Sequence, residues 1–353
     1  MEDAIRAALR KQPIRSSAPC RVDMGGTVDI ATLYYPLARL RPATFNIALN
    51  LRTQVQVSDY TPGVVRVSSK GFSPAEFAMG RAPFNHPLGN IFAVAEHFGI
   101  DGIHIDIDSS SPPKSALGGS SAAAVAVIAA LYRLREESGA KLPDGTWHKI
   151  PELAHAVEEG IALVPCGCQD QMAAAFGGVN AWYWNGRGKD PWYIKKSLLE
   201  AGDASWINDR MLVAYCGAQH ESKEINGLWI RGFLEGTHRR LWEEIVSCTA
   251  DFIHAFSEKD LPGAIAAMSR DTAIRRQMTP GVLDKTGIEL VKTAVDTGAG
   301  ARFTGAGGGG CIWAFGEPDR ISDLRPIWDA VLAGRKGGML LDASVDMKGV
   351  TAK

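Results

Sequence analysis

What this 353-residue chain lacks narrows its identity first. No stretch of about 18 apolar residues occurs, which excludes an ordinary membrane-spanning helix. The opening MEDAIRAALRKQPIRSS carries mixed charge around no apolar core, so it is not a secretory signal. Long basic runs are absent and the formal net charge is −1, so no nucleic-acid partner is implied. The cysteines, at 20, 166, 168, 216, 248 and 311, are scattered. The close pair Cys166-Gly167-Cys168 has the wrong spacing for a CxxC redox or zinc site, and reduced thiols in a cytoplasmic protein are expected. The histidines form no HExxH or HxH metal site. No GxSxG elbow marks a serine hydrolase, and no GxxxxGKS/T segment marks an ordinary P-loop. Repeats and low-complexity linkers are missing as well.

What is present reads as a folded globular protein of mixed α and β structure. Hydrophobic residues make up 46% and charged residues 22%, ordinary values for a globular protein. The length allows two lobes sharing a cleft, with a boundary near residue 200 that gives 1–200 and 201–353. Val55 and Val57, Val65 and Val67, and Ile103, Ile105 and Ile107 alternate with polar neighbours, the pattern of half-buried strands. The run SSAAAVAVIAALYRLREESG predicts a helix opening at serines and ending near Gly139. Further helices are expected over about 150–161, from Gln169, over 221–257, 259–278 and 287–297. Met211 to Tyr215 reads as a buried strand.

Three segments carry chemistry. In PPKSALGGSSAAA, two prolines stiffen the approach and Gly118 and Gly119 remove side chains where backbone must come close to a ligand. The helix that follows begins with amides lacking intrahelical partners, a ready phosphate site. Its hydroxyls, on Ser120 and Ser121, can cap the helix or ligate magnesium. In EEGIALVPCGCQDQMAAAFGG, Asp170 sits near a helix start, where a carboxylate can accept a substrate hydroxyl's hydrogen bond or take its proton. Glu158 ends the previous helix; a carboxylate and a hydroxyl converging on one ion suit magnesium. Read alone, the Glu158-Glu159 pair is a solvated face. Gly305 to Gly310 formally match GxGxxG, but the apolar CIWAF run that follows reads as a strand, against a dinucleotide fold.

These segments resemble the motifs of the GHMP kinase superfamily, in family order. PPKSALGGSSAAA resembles the second motif, with Ala116 where glycine is usual and Gly119 where the first serine is usual. APCRVDMGGTVDI resembles the first motif and ARFTGAGGGGCIWAF the third. Galactokinases carry a glutamate, Pro-Cys-Gly and Asp-Gln at the spacing found here. Heptose kinases carry Gln-Asp-Gln followed by alanines and Gly-Gly. The Glu-His pair that helps galactokinases recognise galactose is absent, and the Gly25-Gly26 pair is closer to the heptose and fucose kinase pattern.

The resemblance implies a two-lobed α+β fold, with an N-terminal lobe like ribosomal protein S5 domain 2, a ferredoxin-like C-terminal lobe and the active site between them. It implies ATP over Pro113, Ala116, Leu117, Gly118, Gly119, Ser120, Ser121 and Ala122, and Mg2+ held by Ser120 and Glu158. Asp170 becomes the catalytic carboxylate, with Arg21 steadying the transferring group. Asp29, Gly26, Gly305, Ala306, Gly307 and Gly308 become the acceptor-binding set. Ser222 is the candidate match for a serine in a further family segment. The implied activity is phosphorylation of a sugar's anomeric hydroxyl by a cytoplasmic monomer or homodimer, without nucleic-acid or membrane partners. Heptose 7-phosphate leads as acceptor, ahead of galactokinase-like or fucokinase-like substrates and a non-catalytic sugar-binding regulator. A phosphorylated acceptor needs a cationic pocket, for which Arg39, Arg41 and Arg52 are candidates.

Overall fold

The computed structural model describes residues 2–162, 165–217 and 222–353. Its strands are β1 (Ile14–Met24), β2 (Ala43–Asp59), β3 (Val64–Ser69), β4 (Ala75–Ala78), β5 (Ile103–Ser109), β6 (Val179–Trp184) and β7 (Tyr193–Ser197). They continue with β8 (Met211–Tyr215), β9 (Gly300–Phe303), β10 (Cys311–Phe315), β11 (Met339–Leu341) and β12 (Thr351–Ala352). The first sheet runs β12-β1-β2-β5-β3-β4, with the β6–β7 hairpin joined to β2. The long strand β2 makes this possible. Its first half pairs with β6 and its second half with β5, while β1 follows it along its other edge.

Alternation on β5 is as the sequence predicts: Ile103, Ile105 and Ile107 are buried and the residues between them are not. The alanine-rich helix is Gly119–Glu137. Ser121 to Leu131 are buried without a break, so this helix is apolar on all sides and lies inside the lobe. Small side chains let it pack closely between β1, β2 and the helices Ile150–Ala162 and Gln169–Phe176.

The second sheet has the order β11-β8-β10-β9, antiparallel throughout. Helices follow β8 and β10, giving βαββαβ with the fourth strand beside the first, the ferredoxin-like arrangement. The helical stretch expected over 221–257 is two helices, Ser222–Leu234 and Arg239–Ser257, interrupted where His238 takes a left-handed φ of 61°. The lobes share an aromatic seam, in which Phe45 of β2 meets Phe252 and Phe256 at ring distances of 4.9 Å. Such pairs contribute about 0.5–1.5 kcal/mol beyond the area they bury.

Sheet pairing does not simply follow the expected division at residue 200. After β11 the chain returns to the first sheet, where β12 pairs with β1 and Val345 bridges to Leu49. Arg52 fastens this tail by pairing with Asp346 and donating to the carbonyls of Ser17 (2.8 Å) and Gly349 (2.7 Å). Charge-assisted bonds of this kind contribute about 1.5–3 kcal/mol each when part-buried. Arg52→Ala is therefore expected to lower stability by about 2 kcal/mol. Urea unfolding, with faster amide exchange at Lys353, would check it.

Candidate active site

A cavity of about 370 Å³ opens between the lobes. It lies within the usual size range of small-molecule sites, roughly 300–1,000 Å³. The loop before the alanine-rich helix forms one wall. Lys114, Ala116 and Gly118 have left-handed φ angles of 54°, 61° and 76°. Left-handed turns at alternate residues curl backbone N–H groups into a concavity suited to anions, and the helix begins directly after them. Ala116, where the family pattern has glycine, thus carries a conformation that glycine adopts without strain. Ala116→Gly is expected to raise stability by about 1 kcal/mol, read from thermal or urea unfolding. No change, or a loss, would place the strain elsewhere.

Pro113, Ala116, Gly118, Gly119, Ser120 and Ser121 line the cavity. Leu117 and Ala122 do not, because both side chains are buried in the core. Leu117 serves through its backbone, its carbonyl accepting from the Arg21 N–H at 2.9 Å. Glu158, expected to share a magnesium ion with Ser120, is hydrogen-bonded by the neighbouring serine. Ser121 Oγ donates to Glu158 Oε2 at 3.0 Å, while Ser120 is exposed on the cavity wall. Glu158 faces the cavity and Glu159 turns away to Arg187, which separates the two glutamates.

The Gln169-Asp170-Gln171 triplet opens the helix Gln169–Phe176 and sends its side chains in three directions. Gln171 Nε2 donates to Glu158 Oε2 at 2.7 Å. Asp170 Oδ1 accepts from Arg21 Nε (2.8 Å) and Nη2 (2.7 Å). Burial pushes the Asp170 carboxyl above its ordinary range despite the pull of Arg21. Gln169 is buried against the cavity with its Oε1 unpartnered.

Asp29 lies at the same end. Its Oδ2 accepts from the Gln169 N–H at 2.9 Å and its Oδ1 has no partner. The residue is 4% exposed, and burial pushes its carboxyl up to about 6. Gly167 permits this approach, since a Cβ there would stand 1.8 Å from Asp29 Oδ2. A buried acceptor oxygen without a donor is a standing cost that a bound hydroxyl would relieve. Because the folded pKa exceeds the unfolded 3.8, this carboxyl supports folding at low pH, and that support is lost as pH rises through about 6. Asp29→Asn should therefore gain stability over the native chain between pH 4 and 7, by up to roughly 3 kcal/mol. Parallel melting curves across that range would show the gap opening, and a constant gap would contradict the assignment.

The remaining expected acceptor residues divide. Gly305 and Ala306 line the cavity. Gly26 packs under it, where a Cβ would meet Asp23 Oδ2 at 2.3 Å and Gln169 Nε2 at 2.7 Å. Gly307 and Gly308 face the second lobe, against Val282 and Ile225. Arg39, Arg41 and Arg52 do not converge on the cavity. Arg39 pairs with Glu243, Arg41 stacks over Tyr183, and Arg52 holds the tail. The side chain of Ser222 lies outside the described residues.

Sequence reasoning missed the support beneath these groups. Asp23 is fully buried on β1 and pairs with Arg21 (3.4 Å) and with Arg302 Nη1 (3.0 Å), while its Oδ1 accepts from the Gly305 N–H at 2.7 Å. Arg302 Nε donates to Asp271 (2.7 Å), Asp271 accepts from Arg275 Nε (3.1 Å), and Arg275 Nη2 donates to the Gly26 carbonyl (2.7 Å). Burial works against the Asp271 charge, yet Arg275 and Arg302 hold its carboxyl below the usual range. The available signal was the pairing of Arg21 with Asp23, two residues apart on one strand and so on one face.

Residues 85–178 match the family model of the GHMP kinases N terminal domain. The mevalonate kinase of Thermococcus sibiricus is 26% identical over 70% of this chain and 68% of its own length. The D-glycero-alpha-D-manno-heptose 7-phosphate kinase of Campylobacter jejuni is 29% identical over 61% of this chain and 62% of its own. The solved galactokinase of Lactococcus lactis, complexed with galactose, superposes with a TM-score of 0.72 at 17% identity, covering 99% of this chain and 98% of that one. Residues 85–178 thus match a GHMP kinase N-terminal domain, and the fold of the whole chain is like that of the solved galactokinase. The GHMP kinases are phosphotransferases that act on hydroxyl groups of sugars or of mevalonate.

Proposed function

We propose that this enzyme transfers the γ-phosphoryl group of ATP to the anomeric hydroxyl of a sugar. The observation that carries the proposal is the orphaned Asp29 Oδ1, set in one cavity with Asp170 and Arg21. Asp29 Oδ1 and Gln169 Oε1 are two buried acceptors that call for donors, and neighbouring sugar hydroxyls supply them. Asp170 accepts the hydrogen bond of the reacting hydroxyl and receives its proton as that oxygen bonds to phosphorus. The bond from phosphorus to the β-phosphate oxygen breaks and ADP leaves. Arg21 holds Asp170 in place and offers positive charge to the transferring group.

Glu158, braced by Ser121 and Gln171, with the Ser120 hydroxyl on the same wall, is a hard-oxygen set that fits Mg2+ bound mainly through phosphates. The ion would supply charge neutralisation there. Asn90, whose side-chain O and N are both buried without partners, also lines the cavity and suits a nucleobase edge.

Heptose 7-phosphate is the first acceptor to try, supported by the Campylobacter jejuni relative. Uncharged hexoses follow, since they need no cation to replace Arg39, Arg41 and Arg52. Mevalonate is the second reading, favoured by the mevalonate kinase relatives. It would bring a carboxylate into a cavity already lined by Asp29, Glu158 and Asp170. ATP consumption across these acceptors, with phosphorus NMR of the product, separates the readings. An anomeric phosphate is expected, whereas turnover of mevalonate alone would overturn the sugar assignment. Asp170→Ala should lower kcat at least 100-fold, an effect of general-base size. Turnover within threefold of the native enzyme would remove Asp170 from the chemistry.

A further inference from the structure

Two chain segments flank Asp29, and one hairpin holds both. The first is the short helix Ala31–Tyr34, directly after Asp29, with Tyr35 at its end. The second is the Cys166-Gly167 turn, whose Gly167 packs against the Asp29 carboxylate. At the tip of the β6–β7 hairpin, the Arg187 N–H donates to the Tyr35 hydroxyl at 2.8 Å. Gly186 makes room for this contact, because a Cβ there would come within 2.4 Å of the Tyr35 ring. The Arg187 guanidinium then reaches His155 Nδ1 at 2.8 Å, and His155 Nε2 lies 3.0 Å from the Cys166 carbonyl.

The protons in this chain are fixed by chemistry. A guanidinium nitrogen only donates, so Nδ1 accepts, the imidazole proton sits on Nε2, and Nε2 donates to the Cys166 carbonyl. His155 is 5% exposed, and burial keeps its pKa below the ordinary histidine value. The imidazole is thus a neutral, buried strut between the exposed Arg187 cation and the Cys166 carbonyl. The Arg187–Glu159 pair beside it is half exposed and contributes little.

We propose that Arg187 and His155 are positioning residues for the acceptor, holding the Cys166-Gly167 turn closed against Asp29 from outside the cavity. This rests on the reading of the Asp29 end as the acceptor site. Cys166 reports on the turn directly, being half-buried on the cavity wall while the other five cysteines are buried.

The test combines iodoacetamide labelling, located by peptide mass spectrometry, with steady-state kinetics. In Arg187→Ala and His155→Phe, labelling of Cys166 should speed up at least tenfold. The acceptor KM should rise at least tenfold, with the ATP KM within twofold and kcat within threefold. His155→Gln, which keeps an N–H for the Cys166 carbonyl, should recover most of both effects. Unchanged labelling in the exposed-site variant Arg187→Ala overturns the strut, and so does faster labelling with an unchanged acceptor KM. If no acceptor reacts at all, the sugar-kinase reading falls, and the labelling rate of Cys166 in native and Arg187→Ala protein still decides the strut: faster labelling in the variant supports it, and an equal rate overturns it.

Discussion

The structure depends on one buried chain of alternating charge, Asp170–Arg21–Asp23–Arg302–Asp271–Arg275. Asp23, Asp271, Arg275 and Arg302 are fully buried, so each charge relies on its neighbours for the solvation water would give. Losing one partner from such a pair typically costs 3–5 kcal/mol, whereas replacing a whole pair by apolar residues is often neutral. What the chain secures is geometry. Asp23 lies on the first sheet and Arg302 on the second, and their bond registers the two lobes where the cavity opens. The Trp313 indole N–H reinforces that register by donating to the Asp23 carbonyl at 3.0 Å. Through Gly305, the same aspartate anchors the glycine loop.

Around this frame the cavity holds several features that work against stability. Ala116 sits in a glycine conformation, Asp29 is buried with an oxygen unpaired, and Gln169 keeps an unbonded carbonyl oxygen beside it. Each violates a local rule of folding, and all three line one space. Such clustering is the mark of a site selected for binding, with the surrounding core offsetting the strain.

Much of this was legible in the sequence, and the limits have physical causes. Alternation on β5, the alanine helix and the strand–loop–strand around Gly305 follow from short-range periodicity. Arg21, Asp29, Glu158 and Asp170 were found because they sit inside motif-like segments, and the cavity gathers all four. The hydrogen bond of Ser121 to Glu158 was not legible, because spacing does not say which way a side chain turns at the first turn of a helix. Gly26, Gly307 and Gly308 were assigned with their motifs, although only the fold shows which glycines face ligand space. Arg302, Asp271 and Arg275 escaped notice because a charged residue inside a strand or helix reads as surface until its distant partner is known. The β6–β7 hairpin was missed for a related reason: it gains its role by contact with Tyr35 and His155, far away in sequence.

The returning tail also orders events during synthesis. β1 leaves the ribosome well ahead of its neighbour β12, which lies far along the chain. The first sheet must wait, with the Ser16 and Ser17 edge unpaired, while more than three hundred further residues are made. An open strand edge invites pairing with other chains. On this chain that edge is short and flanked by Arg15 and Arg52, whose charges discourage a second copy from docking until the native strand arrives.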